Sequence, residues 1–222
     1  MNDLTPDPAS TPILLRVDAS IRVIGSASRE LADVVERQWR EDRPHGAVVR
    51  RDVGTAPLPS DALGSLVEGK ALPAADRSPQ QQAAVALGAE LVEELASADA
   101  VLVAVPLHNF GVSQHVKIWI DLVLASLQLG SAPLLEGKAA VLVAVRGGAY
   151  GEGTPREGWD HSTPYLRRIL AEVWGAEVTM VEREFTLVGV NPALEEFTEA
   201  AGLMYGVALS AAMEAGSVLA RF

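Results

Sequence analysis

The chain has 222 residues, 49% of them apolar, and no cysteine. Those totals allow one doubly wound domain with extra loops and exclude disulfides and thiolate metal sites. The net charge of −11 argues against a face that wraps nucleic acid, which would be basic, but not against an anionic ligand, because backbone N–H groups at a helix terminus hold phosphate whatever the total charge.

His45, His108, His115 and His161 stand far apart with no His-x-x-x-His pair, so no metal site is expected. The N-terminal MNDLTPDPAS is polar and proline-rich, with neither the basic nor the apolar region of a signal peptide. Residues 1–12 read as a disordered extension and residues 13–222 as one domain. The apolar run Ala100–Leu107 is far short of the roughly 20 residues a membrane helix needs. No membrane association is expected, and the cytoplasm is the expected location.

In chain order, Ile13–Val17 (ILLRV) is the first predicted strand and Ser28–Arg43 the first helix, with Leu31, Val34, Val35, Gln38 and Trp39 on its pattern. Ala47–Val53 is a weaker strand. Gly54–Arg77 is a long connection containing proline and glycine, of the length that is functional or mobile in other domains. Ser78-Pro79-Gln80-Gln81 reads as an N-cap, a first-turn proline and a capping-box glutamine, starting a helix to about Ser97. Val101–Val105 and Ala139–Val145 are short, continuous apolar runs, the mark of a parallel sheet covered on both faces. Between them lies a helix over Val112–Leu129. A helix over Thr163–Trp174, a weaker strand over Ala176–Val181 and a last helix capped by Asn191-Pro192 complete the chain. Strict alternation of strand and helix implies an α/β fold, a five-stranded doubly wound parallel sheet with helices on both faces.

Ligands of open α/β sheets bind outside the carboxyl ends of the strands, where the winding reverses. The loops after the first, third and fourth strands are the candidates. The first, Asp18–Ser28, is rich in hydroxyls and enters a helix, so Ser20, Ser26 and Ser28 can donate to a phosphate at the helix N-terminus; Ser28 alone would be an ordinary cap. The loop lacks the Gly-x-Gly-x-x-Gly pattern and the P-loop lysine. The second, Pro106-Leu107-His108-Asn109-Phe110-Gly111, places amide and aromatic groups beside free backbone, a grip suited to a flat heterocycle; a capped turn with a packed Phe110 is the plainer alternative. The third, Arg146–Gly153, has glycines that let a ligand approach the backbone, with Arg146 either a site residue or an ordinary ion-paired one.

Together these residues resemble the FMN-dependent NADH:quinone oxidoreductase and azoreductase family, whose fold is flavodoxin-like and whose members usually work as homodimers. The likeness runs from about Ile13 to Leu219. It implies that Ser20 with Ser26-Ala27-Ser28 is the phosphate turn, Pro106-Leu107-His108-Asn109-Phe110 the flavin loop, and Val145 through Arg146-Gly147-Gly148 to Tyr150 the loop around the pyrimidine side of the ring. Gln114–Val123 and Thr163–Leu166 follow the family's pattern. The chain departs from it at His108, where the family has an aromatic ring, and at Gln128–Leu135, where the family has an aromatic segment and a hairpin over the flavin.

The implied activity is two-electron transfer from NADH or NADPH through FMN to a quinone or azo compound, by a ping-pong course. No catalytic side chain is obligatory, and His108 is the one weak candidate. The helix over Val112–Leu129 is expected near a dimer interface, with Trp119 and Leu122 either exposed there or simply part of the core. The alternatives are a non-enzymatic flavodoxin-type FMN electron carrier, which the acidity would suit for docking to a basic partner, and a receiver-type phosphoacceptor. The last needs an aspartate at the end of the third strand, where Pro106 stands.

Overall fold

The computed structural model describes residues 11–128 and 130–222. Five parallel strands run in the order β2-β1-β3-β4-β5, the order of a flavodoxin-like sheet. They are β1 (Ile13–Asp18), β2 (Ala47–Asp52), β3 (Ala100–Pro106), β4 (Ala139–Val145) and β5 (Glu177–Arg183). The continuous apolar runs are β1, β3 and β4, the three central strands, buried along nearly their whole length. The two weaker candidates are the edges, β2 and β5, where one flank faces solvent and Arg50, Arg51, Glu177 and Glu182 are tolerated. Residues 1–10 of the expected disordered extension lie outside the described residues, while the Pro12 carbonyl already accepts from the Ala47 amide at 2.8 Å.

Six helices cover the sheet among the described residues. α1 (Ala27–Asp42) and α6 (Thr198–Leu219) lie on one face. There Leu31, Val35 and Trp39 meet Ala208, Ala212, Ala215 and Leu219 over the sheet. α2 (Ala62–Lys70), α3 (Pro79–Ser97), α4 (Gln114–Ser126) and α5 (Thr163–Arg168) lie on the other. The capping box of Ser78 and Gln81 forms as the sequence implies.

Some expectations change. The Gly54–Arg77 connection contains α2, a helix whose apolar periodicity is weak because Ala62, Leu66 and Gly69 are its only buried residues. α5 ends early and passes into a π-helical turn over Ile169–Val173. Asn191 caps a 3-10 turn (Pro192–Phe197) that precedes α6, not α6 itself. Trp119 and Leu122, offered as interface residues, are in the core, with the Trp119 ring edge-on to Trp174 at 5.3 Å. Leu129, the end of that expected helix, lies outside the described residues.

The more apolar helix is α6: with its preceding turn it is long and apolar enough to cross a membrane by length and composition alone. One side packs on α1, and Leu203, Val207 and Met213 are exposed on the other. The α1–α6 seam is close: a Cβ at Gly216 would stand 2.6 Å from the Val35 carbonyl oxygen and 2.6 Å from Gln38 Cβ. Gly216→Ala should therefore push α6 off α1 and destabilise the fold by about 1–3 kcal/mol, the usual cost of overpacking. A denaturant midpoint that does not fall would contradict this packing.

Candidate functional site

The strand order reverses between β1 and β3, and the register aligns Asp18 with Ala104 and Pro106 with Val145. The loops after β1, β3 and β4 therefore open at one edge, as expected. Two adjoining cavities lie there. A smaller one of about 190 Å³ is lined by Ser20, Arg22, Ser26, Ala27, Ser28, Pro106, Leu107, His108, Val145, Gly147, Thr186 and Leu187, among others. A larger one of about 530 Å³ shares Leu107, His108, Gly147 and Leu187 and adds Ile21, Asn109, Phe110, Gly148, Tyr150, Arg156, Asn191 and Leu194.

The small cavity sits at the start of α1, whose first amides have no partner within the helix. Ser26 is the N-cap, and its side chain accepts from the Arg29 amide. Ser28, read from sequence as the cap, is the second helical residue, 1% exposed, with its Oγ 3.3 Å from that of Ser26. Two buried hydroxyls, free helix amides and Arg22 thus face one small space. That set suits a dianion, and the helix dipole adds to it.

Beneath this turn lies a cluster of charges. Arg16, in mid-strand, is 2% exposed and donates to Asp18 at 2.9 and 3.1 Å, to Asp33 at 2.6 Å and to Glu36 at 3.0 Å. A buried cation is tolerable only when paired in this way. Burial opposes its charge, but the bonds to Asp18 and Asp33 outweigh burial and raise its pKa. Asp52, at the end of β2, is held at about 2: burial acts the other way, and Arg29 and Thr55 outweigh it. Its folded value lies below the ordinary one near 3.9. Its stabilising contribution is therefore complete above that range and is lost as pH falls toward about 2.

The loop after β3 is a tight turn closed by the Gly111 amide on the His108 carbonyl at 3.0 Å. Both central residues are left-handed, Asn109 at φ 47° and Phe110 at φ 68°. Asparagine tolerates this; phenylalanine does so at a cost of roughly 1–2 kcal/mol. Among the described residues only one other non-glycine is left-handed, Phe185, next to Thr186 and Leu187 of the same cavities. Strain of this kind collects at ligand sites. Phe110 packs edge-on against Trp159 at 5.4 Å and tilted against Tyr150 at 6.3 Å, and its carbonyl accepts from the His161 amide at 2.9 Å. His108 has its pKa lowered, by burial first and then by His115 and Arg22, which favours the neutral imidazole.

In the loop after β4, Gly147 is in close contact with the cavity wall: a Cβ there would meet Leu187 Cδ1 at 2.6 Å, so a larger residue would push the Leu187 side chain aside. Gly148 and Tyr150 line the larger cavity. Arg146 turns elsewhere. Its guanidinium bonds Asp160 and Glu182, each at 2.6 Å, and its side chain borders a separate groove beside Leu203, Met204 and Val207 on α6. Of the two roles open to it, the ion-paired one is what forms, and it lines neither of the two cavities.

The structure thus brings Ser20, Ser26, Ala27, Ser28, Pro106 to Phe110, Val145, Gly147, Gly148 and Tyr150 to one pair of cavities. The sequence reading missed Arg22, Arg156, Trp159, Asn191, Leu194 and the turn Thr186-Leu187. That turn follows β5, which ends at the same edge, and its Thr186 donates to the Arg146 carbonyl from both N and Oγ1 at 3.0 Å. Extending the carboxyl-edge argument to the fifth strand would have found it. Among the described residues no cluster of metal-ligating side chains forms.

A family model for the flavodoxin-like fold matches residues 13–201. A protein of Frankia casuarinae named FMN-dependent NADH:quinone oxidoreductase is 38% identical over 192 residues, 85% of this chain and 90% of its own. Its namesake in Streptomyces coelicolor is 37% identical over 185 residues, 82% of this chain and 84% of its own. Among solved structures, an azoreductase from Bacillus anthracis str. Sterne aligns with a TM-score of 0.74 at 23% identity, covering 96% of this chain and 100% of that one. An FMN-dependent NADH-azoreductase from Bacillus anthracis str. Ames Ancestor, in complex with FMN, aligns with a TM-score of 0.74 at 18% identity, covering 94% of this chain and 99% of that one. At such identities these two structures speak for the fold alone.

The cap assignment has a direct check. Ser26→Ala should lower unfolding stability by about 1 kcal/mol through loss of the cap, whereas Ser28→Ala removes no cap and should cost less. Chemical denaturation of the two variants in parallel decides it, and the reverse order would return the cap to Ser28.

Proposed function

The chain belongs to the flavodoxin-like family that includes the FMN-dependent NADH:quinone oxidoreductases, and we propose from its site that it binds one FMN and reduces quinones or azo compounds with electrons from NADH. The observation that supports this most is the buried pair Ser26 and Ser28 at the open start of α1, in a cavity that adjoins a second one lined by the strained Asn109–Phe110 turn and the glycines of the β4 loop. The smaller cavity has the donors a phosphate needs. The larger has apolar walls from Ile21, Leu107, Leu187 and Leu194 with a few polar groups among them, the usual make-up of a site for a flat heterocycle.

In this reading Ser20, Arg22, Ser26 and Ser28, with the amides of Ala27 and its neighbours, hold the phosphate. Pro106, Leu107, Asn109, Phe110, Gly147, Gly148 and Tyr150 hold the ring, Val145 lines the smaller cavity, and the Arg146 carbonyl anchors the Thr186 turn beside it. FMN, when bound, supplies the hydride acceptor and donor that no side chain here provides. The residues would do the rest: the apolar walls and the polar groups among them would hold and orient the ring. His108 is half-buried, and its lowered pKa favours the neutral imidazole, with one N–H and one lone pair, over the imidazolium. An electron carrier of the same fold is the poorer reading, because the similar proteins are named as enzymes.

Family likeness also supports a homodimer with α4 near the interface, and a cytoplasmic location. Since Trp119 and Leu122 are core residues, the interface would use the outer side of α4. Light scattering should give twice the chain mass at micromolar concentration; a monomer would contradict it.

The family plan, one flavin face serving donor and acceptor in turn, means that the two do not bind together. Initial rates with NADH and a benzoquinone should therefore give parallel double-reciprocal lines. Intersecting lines would mean that both bind together. Failure of NADH and NADPH alike to deliver electrons, with a chemical reductant still effective, would favour the carrier.

A further inference from the structure

Arg29 is the third residue of α1 and stands where an arginine would be taken for a phosphate ligand. It is not among the residues lining the phosphate cavity. Its guanidinium makes three hydrogen bonds: Nε donates to the Arg22 carbonyl at 3.0 Å, and Nη2 donates to the Ser20 carbonyl at 2.7 Å and to Asp52 Oδ1 at 2.8 Å. Nη1 stands 3.7 Å from Asp18. The arginine thus ties the backbone of the phosphate turn to the end of β2.

The end of β2 is shaped to receive it. Asp52 Oδ1 also accepts from the amides of Gly54 at 3.1 Å and Thr55 at 3.0 Å. The Gly54 amide bonds the Asp18 carbonyl at 3.1 Å. A Cβ on Gly54 would lie 2.2 Å from the Ser20 carbonyl oxygen, so the two loops touch backbone to backbone. Exposed on its outer side, the segment Ile21–Gly25 has few other supports.

We propose that Arg29, Asp52 and Gly54 form a latch that fixes the shape of the 20–25 turn, and that this latch sets the preference for FMN over its dephosphorylated form, riboflavin, without touching either ligand. The proposal rests on the reading of the small cavity as an FMN phosphate site. It makes all three positioning residues, and it gives the first part of the 54–77 connection a role.

Two substitutions separate a latch from simple attraction between Arg29 and phosphate. Asp52→Asn removes a negative charge near the site. Attraction alone predicts tighter FMN binding; a latch predicts weaker binding, because Arg29 loses its anchor. Arg29→Lys keeps the charge but cannot span three acceptors, so a latch predicts a loss where attraction predicts little change.

The experiment is equilibrium titration of flavin-free protein, wild type and both variants, with FMN and with riboflavin, after circular dichroism and thermal unfolding have shown each variant folded. The expected result is a loss of about tenfold or more for FMN, as for hydrogen bonds to a charged group, with riboflavin affinity changed by less than about twofold. Gly54→Ala, which drives a methyl group into the Ser20 carbonyl, should show the same selectivity. Equal losses for both flavins, or FMN affinity kept in Arg29→Lys or raised in Asp52→Asn, would overturn the latch while leaving the FMN reading intact. A folded wild type that binds no FMN would overturn that reading and the latch with it.

Discussion

The open N-terminus of α1 is the feature on which the rest of the site depends. It falls at the carboxyl edge of the sheet because β1 is central and the chain turns out to β2 before crossing back to β3. A helix start at that place has amides without internal partners, and it must be met by side chains, water or an anion. Ser26 satisfies one of those amides, and Ala27 and Ser28 line the cavity beside it. An acidic protein of net charge −11 can therefore hold a phosphate, because the local groups are a helix terminus, two hydroxyls and Arg22 rather than the average surface.

The neighbouring loops look different once that point is fixed. The Asn109–Phe110 turn keeps two left-handed residues in succession, a conformation maintained by the aromatic contacts of Phe110 and the His161 amide on its carbonyl. Gly147 is small because Leu187 fills the space above it. Buried charges under the turn, Arg16 with Asp18 and Glu36, add rigidity rather than net stability, since desolvation offsets much of their attraction. Rigid support of this kind is what holds binding groups at fixed positions.

How much of this was legible in the sequence follows from how local each signal is. The central strands were plain, since burial on both faces leaves continuous apolar runs such as Ala139–Val145. The capping box at Ser78 was equally plain, being a contact between residues three apart. α2 was hidden because its short buried stripe barely exceeds the background of the 54–77 segment. The cap of α1 was misread as Ser28 because several serines stand together there and only backbone conformation chooses among them. The side chain of Arg146 could not be placed, because Asp160 and Glu182 reach it from distant parts of the chain. The same holds for Arg29, whose acceptors lie on two loops that meet only in the folded sheet. Family resemblance reached the identity of the loops, while side-chain direction within them needed the tertiary structure.

The central claim is that the start of α1 is a phosphate site for FMN. Its most direct test is to titrate the flavin-free protein with FMN and with riboflavin, and to repeat both titrations with Ser26→Ala/Ser28→Ala. Loss of two hydroxyl contacts to a charged oxygen should cost on the order of 1.5–3 kcal/mol each. FMN should bind the wild type far more tightly than riboflavin, and the double variant should lose most of that difference while binding riboflavin as before. Equal wild-type affinity for the two flavins would contradict the account.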